Sequence, residues 1–331
     1  MRDERLKTLF LLLGVIVLLG LGVTACQPKG PPYVKEKFPV CTHPANQVYP
    51  AISGQVVVWK DYRNGNWDIY GCDLDTATEF PICTHLAEQG RPAISGEVVV
   101  WWDYRNGNWD IYGYDLDSGI EFPICTEPSD QRKPVILGDI VLYWDDRNGN
   151  WDIYGYDLDT GVEFSVCTEP GAQFNISISG DVVVWVDERN GNMDIYGYNL
   201  SSGVGFPVCT NPADQRVPAV SGNLVVWVDE RNGNMDIYGY DLSSGVEFTI
   251  CTNPAIQFVP TISGDIVVYR DYRNQQWHVY GYDLATDTEF PVSTIDAYHR
   301  TPTVLGNIVV WVERTNSNRD IYGCRLGRRG E

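Results

Sequence analysis

The stretch DYRNGNWDIYGYDL, residues 103–116, brings Asp103, Asn106, Asn108 and Asp110 into one short segment. Oxygen-bearing side chains at such spacing could ligate a hard cation such as calcium. The same letters also describe a β-hairpin turning on Asn106-Gly107. In that hairpin Asp103 faces Asp110, Tyr104 faces Trp109 as a cross-strand aromatic pair, and Arg105 shares the acidic face and neutralises it. A guanidinium there opposes a bound cation, so the residues favour a structural hairpin, and no metal or cofactor is expected. The trio recurs as Asp61, Arg63, Asp68 and as Asp145, Arg147, Asp152. Later versions drift. DYRNQQWHVY puts His278 opposite Asp271, and ERTNSNRDIY carries Thr315 in place of the arginine. A hairpin survives such changes more readily than a ring of identical ligand sites.

Other chemistry finds few residues to carry it. The four histidines are His43, His85, His278 and His299; the first two share one repeat position, and no three-ligand set emerges. No nucleophile elbow, phosphate loop or dinucleotide fingerprint is present. Segments 184–204 and 226–246 are almost the same, whereas a catalytic centre needs an asymmetric set of groups. The expected activity is therefore binding, not catalysis. A net charge of −20 argues against nucleic acid or anionic lipid as the main partner.

The elements that would position these residues follow from self-similarity. Phe38, Phe80, Phe122, Phe164, Phe206, Phe248 and Phe290 stand 42 residues apart, each opening one copy of a single pattern. Each copy offers four short β-rich runs separated by turn signals, as in PAIS, EVVVWWD, DIYGYDL and FPICT. Seven copies of four antiparallel strands predict an all-β, seven-bladed β-propeller over residues 38–331. The chain enters on a fourth strand, residues 38–42, and ends on a copy lacking one. That strand is expected to complete the last blade beside residues 321–326 and close the ring.

The repeat PAISGEVVVWWDYRNGNWDIY resembles the TolB-like propellers related to WD repeats. This resemblance covers Phe38 to Leu326 and implies the propeller fold. It says little about activity, because propellers host many unrelated functions. One such relative is a metal-dependent lyase of pectin fragments that uses several histidines, which makes a polysaccharide lyase or hydrolase the alternative function.

Ahead of the repeats, MRDERLK followed by LFLLLGVIVLLGLGV and VTAC resembles a bacterial lipoprotein signal, residues 1–25, with Cys26 as the lipidated residue. An uncleaved membrane helix is the other reading. Both export the chain and tether it to a membrane in the cell envelope or at the cell surface. Residues 26–37 read as attachment point and linker. Six further cysteines, Cys41, Cys83, Cys125, Cys167, Cys209 and Cys251, share one repeat position and read as small buried residues. Cys72 and Cys324 break the pattern. Cys72 would lie near Cys83, and Cys324 near Cys41 if the ring closes as expected, so an exported chain could form disulfides there.

A ligand surface is expected where the copies differ most, in the two residues before each first-strand proline. These place Arg91, Arg132, Lys133, Arg216 and Arg300 round the channel mouth, interleaved with Tyr49, Phe174 and Phe258. Cations beside aromatic rings suit an anionic polysaccharide or an acidic protein segment. Local pairing with Glu88, Asp130 and Asp214 is the competing structural role.

Overall fold

The computed structural model describes residues 32–295, 298–314 and 318–328. The signal-like segment and Cys26 lie outside the described residues. Seven four-stranded antiparallel sheets form a ring of blades. Blade one comprises strands Gln47–Ser53, Val56–Asp61, Asp68–Asp73 and Thr78–Cys83, and the others repeat it. First strands of adjacent blades touch each other round the ring, so they line its axis. Among the described residues a single 3-10 turn, Arg273–Gln275, is the only helical element, and no helix is long and apolar enough to cross a membrane.

The apolar core lies between blades, not within them. Second strands such as Val98–Asp103 are apolar on both faces because each blade is packed on both sides. Val58 and Ile69 of blade one meet Val99 and Trp101 of blade two, all fully buried. Polar staples reinforce the contact. Ser53 Oγ accepts the Gly96 N–H at 2.9 Å, and Ser95, Ser179, Ser221 and Ser263 do the same toward their next blades. Toward the hairpin face, the Gln89 and Gln131 N–H groups donate to the carbonyls of Trp67 and Trp109 in the preceding hairpins.

The last blade closes as expected. Strand Pro32–Cys41 pairs antiparallel with Asp320–Arg328, filling the fourth place beside the final three strands. It starts at Pro32, so residues 32–37, expected in the linker, belong to the blade. The reason for the 42-residue phenylalanine period is visible here. Phe38 lies over Gly323, where a Cβ would stand 2.7 Å from the ring, and Phe80 covers Gly71 in the same way. A glycine opposite a phenylalanine lets the outer ring lie flat against the third strand.

Two expectations are corrected. The hairpin keeps the Asp103–Asp110 register, but residues 104–109 form a longer loop instead of a two-residue turn. Asp103 Oδ1 accepts the Arg105 backbone N–H at 2.9 Å, an Asx-type bond that pulls the chain out of the ladder directly after the strand. No disulfide forms among the described residues, whose eight cysteines are free and buried. Register explains it. Cys324 pairs with Lys37 while Cys41 pairs with Ile321, and the two thiols enter different inter-blade clusters. Cys72 and Cys83 likewise sit opposite Glu79 and Ile69, at separate points along their strands.

Closure carries its own charge exchange. Lys37 occupies the repeat position that holds Glu79 and Glu121 elsewhere, and Glu313 stands where other blades have aspartate. The Lys37 ammonium bonds Glu313 at 2.8 Å and lies 4.4 Å from the Tyr322 ring centroid, taking the place of the missing arginine. Burial raises the Glu313 pKa, but hydrogen bonds from His299, Lys37 and Trp311 outweigh it and hold the carboxyl below its usual 4.5. Its contribution is therefore complete above pH 4.5 and is lost as the pH falls through the lower folded value. Lys37→Met is expected to cost about 2 kcal/mol, discounted because the lysine keeps partial contact with water. Urea unfolding at pH 7 measures that loss. Repeating it at acid pH should show a smaller acid destabilisation for Lys37→Met than for the wild type.

Candidate functional site

The repeated hairpin resolves into a staple. Asp103 is fully buried and accepts Trp101 Nε1 at 3.1 Å and Arg105 Nη2 at 2.7 Å. Burial opposes its charge, yet the Arg105 and Trp101 hydrogen bonds hold its pKa below the usual range. The same guanidinium stacks 4.1 Å from the Tyr112 ring and pairs with Glu121 of the fourth strand. Arg105 hydrogen-bonds Asp103 but not Asp110, on which it acts only through its charge. Asn106 and Asn108 donate to that carboxylate at 2.6 and 2.8 Å, and Asn108 also reaches the Glu127 and Ser129 carbonyls leading into the next blade. Tyr104 and Trp109 do pair, with centroids 4.9 Å apart. Cys251, Asp271 and Glu289 converge closely enough to suggest a metal cluster, but Arg273 bonds both carboxylates and fills the space between them.

The histidines hold structure. His43 and His85 each accept a backbone N–H two residues on. Ser293, His299 and Glu313 form a buried chain with the serine 2.8 Å from His299 Nε2, which superficially suggests a hydrolase relay. Glu313 approaches that same Nε2 at 3.4 Å, while Nδ1 meets the Trp277 carbonyl. The acid therefore does not orient the ring from behind, as a relay requires. Five first strands begin on a glutamine, and Gln89 of blade two forms an isolated bridge at the same place; all six are buried with their Nε2 groups bonded to their own loop carbonyls, as Gln131 bonds Ser129 at 2.8 Å.

The asymmetry of the ring lies at the hairpin-face mouth of blades one to three. Arg132 lies 5.5 Å from Trp102, 5.7 Å from Trp109 and 5.5 Å from Trp151, and is paired with Asp130 at 2.6 Å. Lys133 Nζ sits 4.2 Å from the Trp144 ring, and Arg91 lies 5.8 Å from Tyr49. Neither Lys133 nor Arg91 has a carboxylate partner among the described residues. Burial, then Arg91 and Arg132, push the Lys133 ammonium down to about 8. Lys133 also holds φ +51 within a first-strand bulge, a backbone strain shared by Tyr49 and Asn175 at the same position of their blades.

Of the other expected residues, Phe174 joins this cluster, its ring 5.9 Å from Trp144. Arg216 is occupied by Asp214 and Glu230, both at 2.7 Å, so its local pairing prevails. Phe258 packs into the blade-five to blade-six core, and Arg300 bonds the Tyr298 hydroxyl at 3.3 Å. The four tryptophans were missed. Their signal was available: Trp102 and Trp144 replace Lys60, Val186, Val228, Arg270 or Val312 of other copies. Gly90 shows why the cluster can form, because a Cβ there would fall 1.7 Å from Trp102 Nε1. Where other blades carry a rim side chain, blade two leaves room for Trp102 to turn inward onto Trp109, 4.5 Å away.

The fold is that of a seven-bladed propeller, with a cation–aromatic cluster at one end. Among solved structures, the chain is similar to the β-propeller domain of the trilobed protease from Pyrococcus furiosus, with TM-score 0.70 and 14% identity over 87% of this chain and 98% of that one. That domain is described as having an open velcro topology, whereas here the last blade is completed by the N-terminal strand. Puromycin hydrolase matches with TM-score 0.69 and 11% identity over 85% of this chain and 52% of its own. The Pyrococcus horikoshii acylaminoacyl peptidase matches with TM-score 0.66 and 12% identity over 87% and 52%. The chain thus spans about half the length of these two enzymes. No protein-family model and no curated protein matches it.

An amine with this low pKa should react early. Acylation of native protein at rising pH, followed by peptide mass mapping, is expected to label Lys133 with a midpoint near pH 8. Arg91→Ala removes a positive neighbour, so the midpoint should move upward.

Proposed function

We propose that this chain is an exported, membrane-tethered propeller of the TolB-like type that binds a protein or polysaccharide, without catalysis, through anionic groups at the hairpin-face mouth. One observation carries the reading. A protein of net charge −20 keeps Arg91 and Lys133 without carboxylate partners among the described residues, in a cluster that includes Trp102 and Trp144, whose position holds no tryptophan in any other copy. Retaining unneutralised cations close enough to depress a lysine pKa costs stability, and an anionic ligand would recover it. The rings would give flat apolar contact beside the charges. The tether rests on the lipoprotein-like segment ending at Cys26. His278 and His299 lie ring to ring, 6.1 Å between centroids, but His43 and His85 bond their own loops in other blades, so no three-histidine set supports the metal-dependent lyase alternative.

Binding of the detergent-solubilised full chain to immobilised polygalacturonate, polyglutamate and neutral dextran tests this. An anionic polymer should bind, dextran should not, and added salt should weaken the complex. The double variant Arg91→Ala/Lys133→Ala should bind at least about tenfold more weakly at an equal or higher melting temperature. Equal binding by the variant, or equal binding of dextran, rejects the mouth as the site. Loss of fatty-acid labelling in Cys26→Ser tests the tether separately.

A further inference from the structure

Blade six departs from the repeat in a way the mouth cluster does not explain. Its hairpin replaces the turn glycine with Gln275 and keeps it left-handed at φ +63, beside Asn274 at φ +59. Consecutive non-glycine residues in that region cost stability, and such strain persists where the surroundings use it. The loop forms one wall of a cavity of about 490 Å³ between blades six and seven. Ile256, Tyr272, Trp277 and Tyr298 supply apolar and aromatic surface, and Arg314 closes one side. Tyr272 and Trp277 lie 5.0 Å apart.

Among the described residues, the charges around this cavity are one-sided. Arg270, only 8% exposed, stacks 4.0 Å from Trp277 and donates to the Tyr298 hydroxyl at 3.4 Å. Arg300 donates to the same oxygen at 3.3 Å. Neither guanidinium has a carboxylate partner among the described residues, and the Nε of each is buried without a bond. Burial raises the Tyr298 pKa, but Arg300 and Arg270 outweigh it and lower it overall, making its O–H a stronger donor. Arg314 is the cross-strand partner of Tyr298, so a hydroxyl donor and a guanidinium stand side by side at the cavity wall.

We propose that this pocket binds a small planar aromatic anion, its ring against Trp277 and Tyr272 and its acid group on Tyr298 and Arg314. The volume suits a small ligand. Paired rings favour a flat π-surface, and a charge-assisted contact to arginine fixes the acid group. Gln275 and Gln276 also line the wall and could meet a sugar's hydroxyls, so a saccharide is the competing occupant; the larger apolar share of the wall favours the aromatic anion. The site stands apart from the mouth of blades one to three and goes beyond the reading given for it.

Calorimetric titration of the full chain with 1-naphthoate and with its neutral analogue 1-naphthamide tests the assignment. Naphthoate should bind saturably, and naphthamide about tenfold more weakly. Tyr298→Phe and Arg314→Ala should each erase that preference, and Tyr272→Ala, at an exposed ring, should weaken both ligands. The Arg91→Ala/Lys133→Ala protein should bind naphthoate as the wild type does, which separates this pocket from the mouth. Absence of saturation, equal affinity for the two ligands, or tighter binding of trigalacturonate or a triglutamate peptide at these residues would overturn the proposal.

Discussion

A buried aspartate gripped by the arginine two residues later is the constraint on which the blades depend. Asp61, Asp103, Asp145, Asp187, Asp229 and Asp271 are all fully buried, and each is paired with its arginine at 2.6–2.8 Å. The carboxylate ends the second strand and nucleates the turn through its backbone bond. It also accepts the indole N–H of a core tryptophan in blades one, two, four and five. The arginine carries the connection outward, stacking on the third-strand tyrosine, and in most blades it reaches the fourth-strand glutamate. Removing one partner of a buried pair costs about 3–5 kcal/mol, since the other charge is left desolvated. Blades three and six keep the arrangement with Tyr143 and Tyr269 in place of tryptophan, their hydroxyls bonded to Glu163 and Glu289 at 2.6 Å. Blade seven reverses it, with Lys37 serving Glu313.

That uniform scaffold leaves the hairpin face free to vary. The rim positions differ in this: Phe174 and Phe258 pack into inter-blade cores, whereas Arg91, Lys133 and Arg300 lie outside them, where substitutions cost less. Two sectors have departed from the pattern. In blades one to three the change is toward tryptophan and unpaired cations, made sterically possible by Gly90. In blades six and seven it is toward a strained loop beside an open cavity. Arg216, between them, is neutralised by its two acidic neighbours.

The expected roles of individual residues divide along one physical line. Asp103–Asp110 register and the Tyr104–Trp109 pair were legible because strand alternation sets them locally. Ring closure was legible from the offset of the repeat, which leaves a fourth strand at one end and a vacancy at the other. The partner of Asp110 was not, because whether Arg105 turns toward one carboxylate or the other depends on the loop path, and an Asx bond changes that path. Cysteine pairing was misjudged for a similar reason. Sharing a blade does not bring two thiols together when register sends them to different faces. The mouth was half legible, since Arg91, Arg132 and Lys133 were found where the copies differ, whereas the tryptophans contacting them come from other strands of the same and adjacent blades.

Periodicity of 42 residues, strand alternation and turn chemistry together determine the number of blades, their four strands and the closing element. These are properties of neighbours along the chain, repeated often enough that one solution satisfies every copy. Which cations lie free, which are matched, and which rings they touch was decided only in three dimensions. Blade packing brings together residues 28 or more positions apart, such as Trp102 with Arg132 and Arg270 with Tyr298, only after adjacent sheets have joined. A charge's worth depends on its surroundings, and those surroundings are built from the next blade.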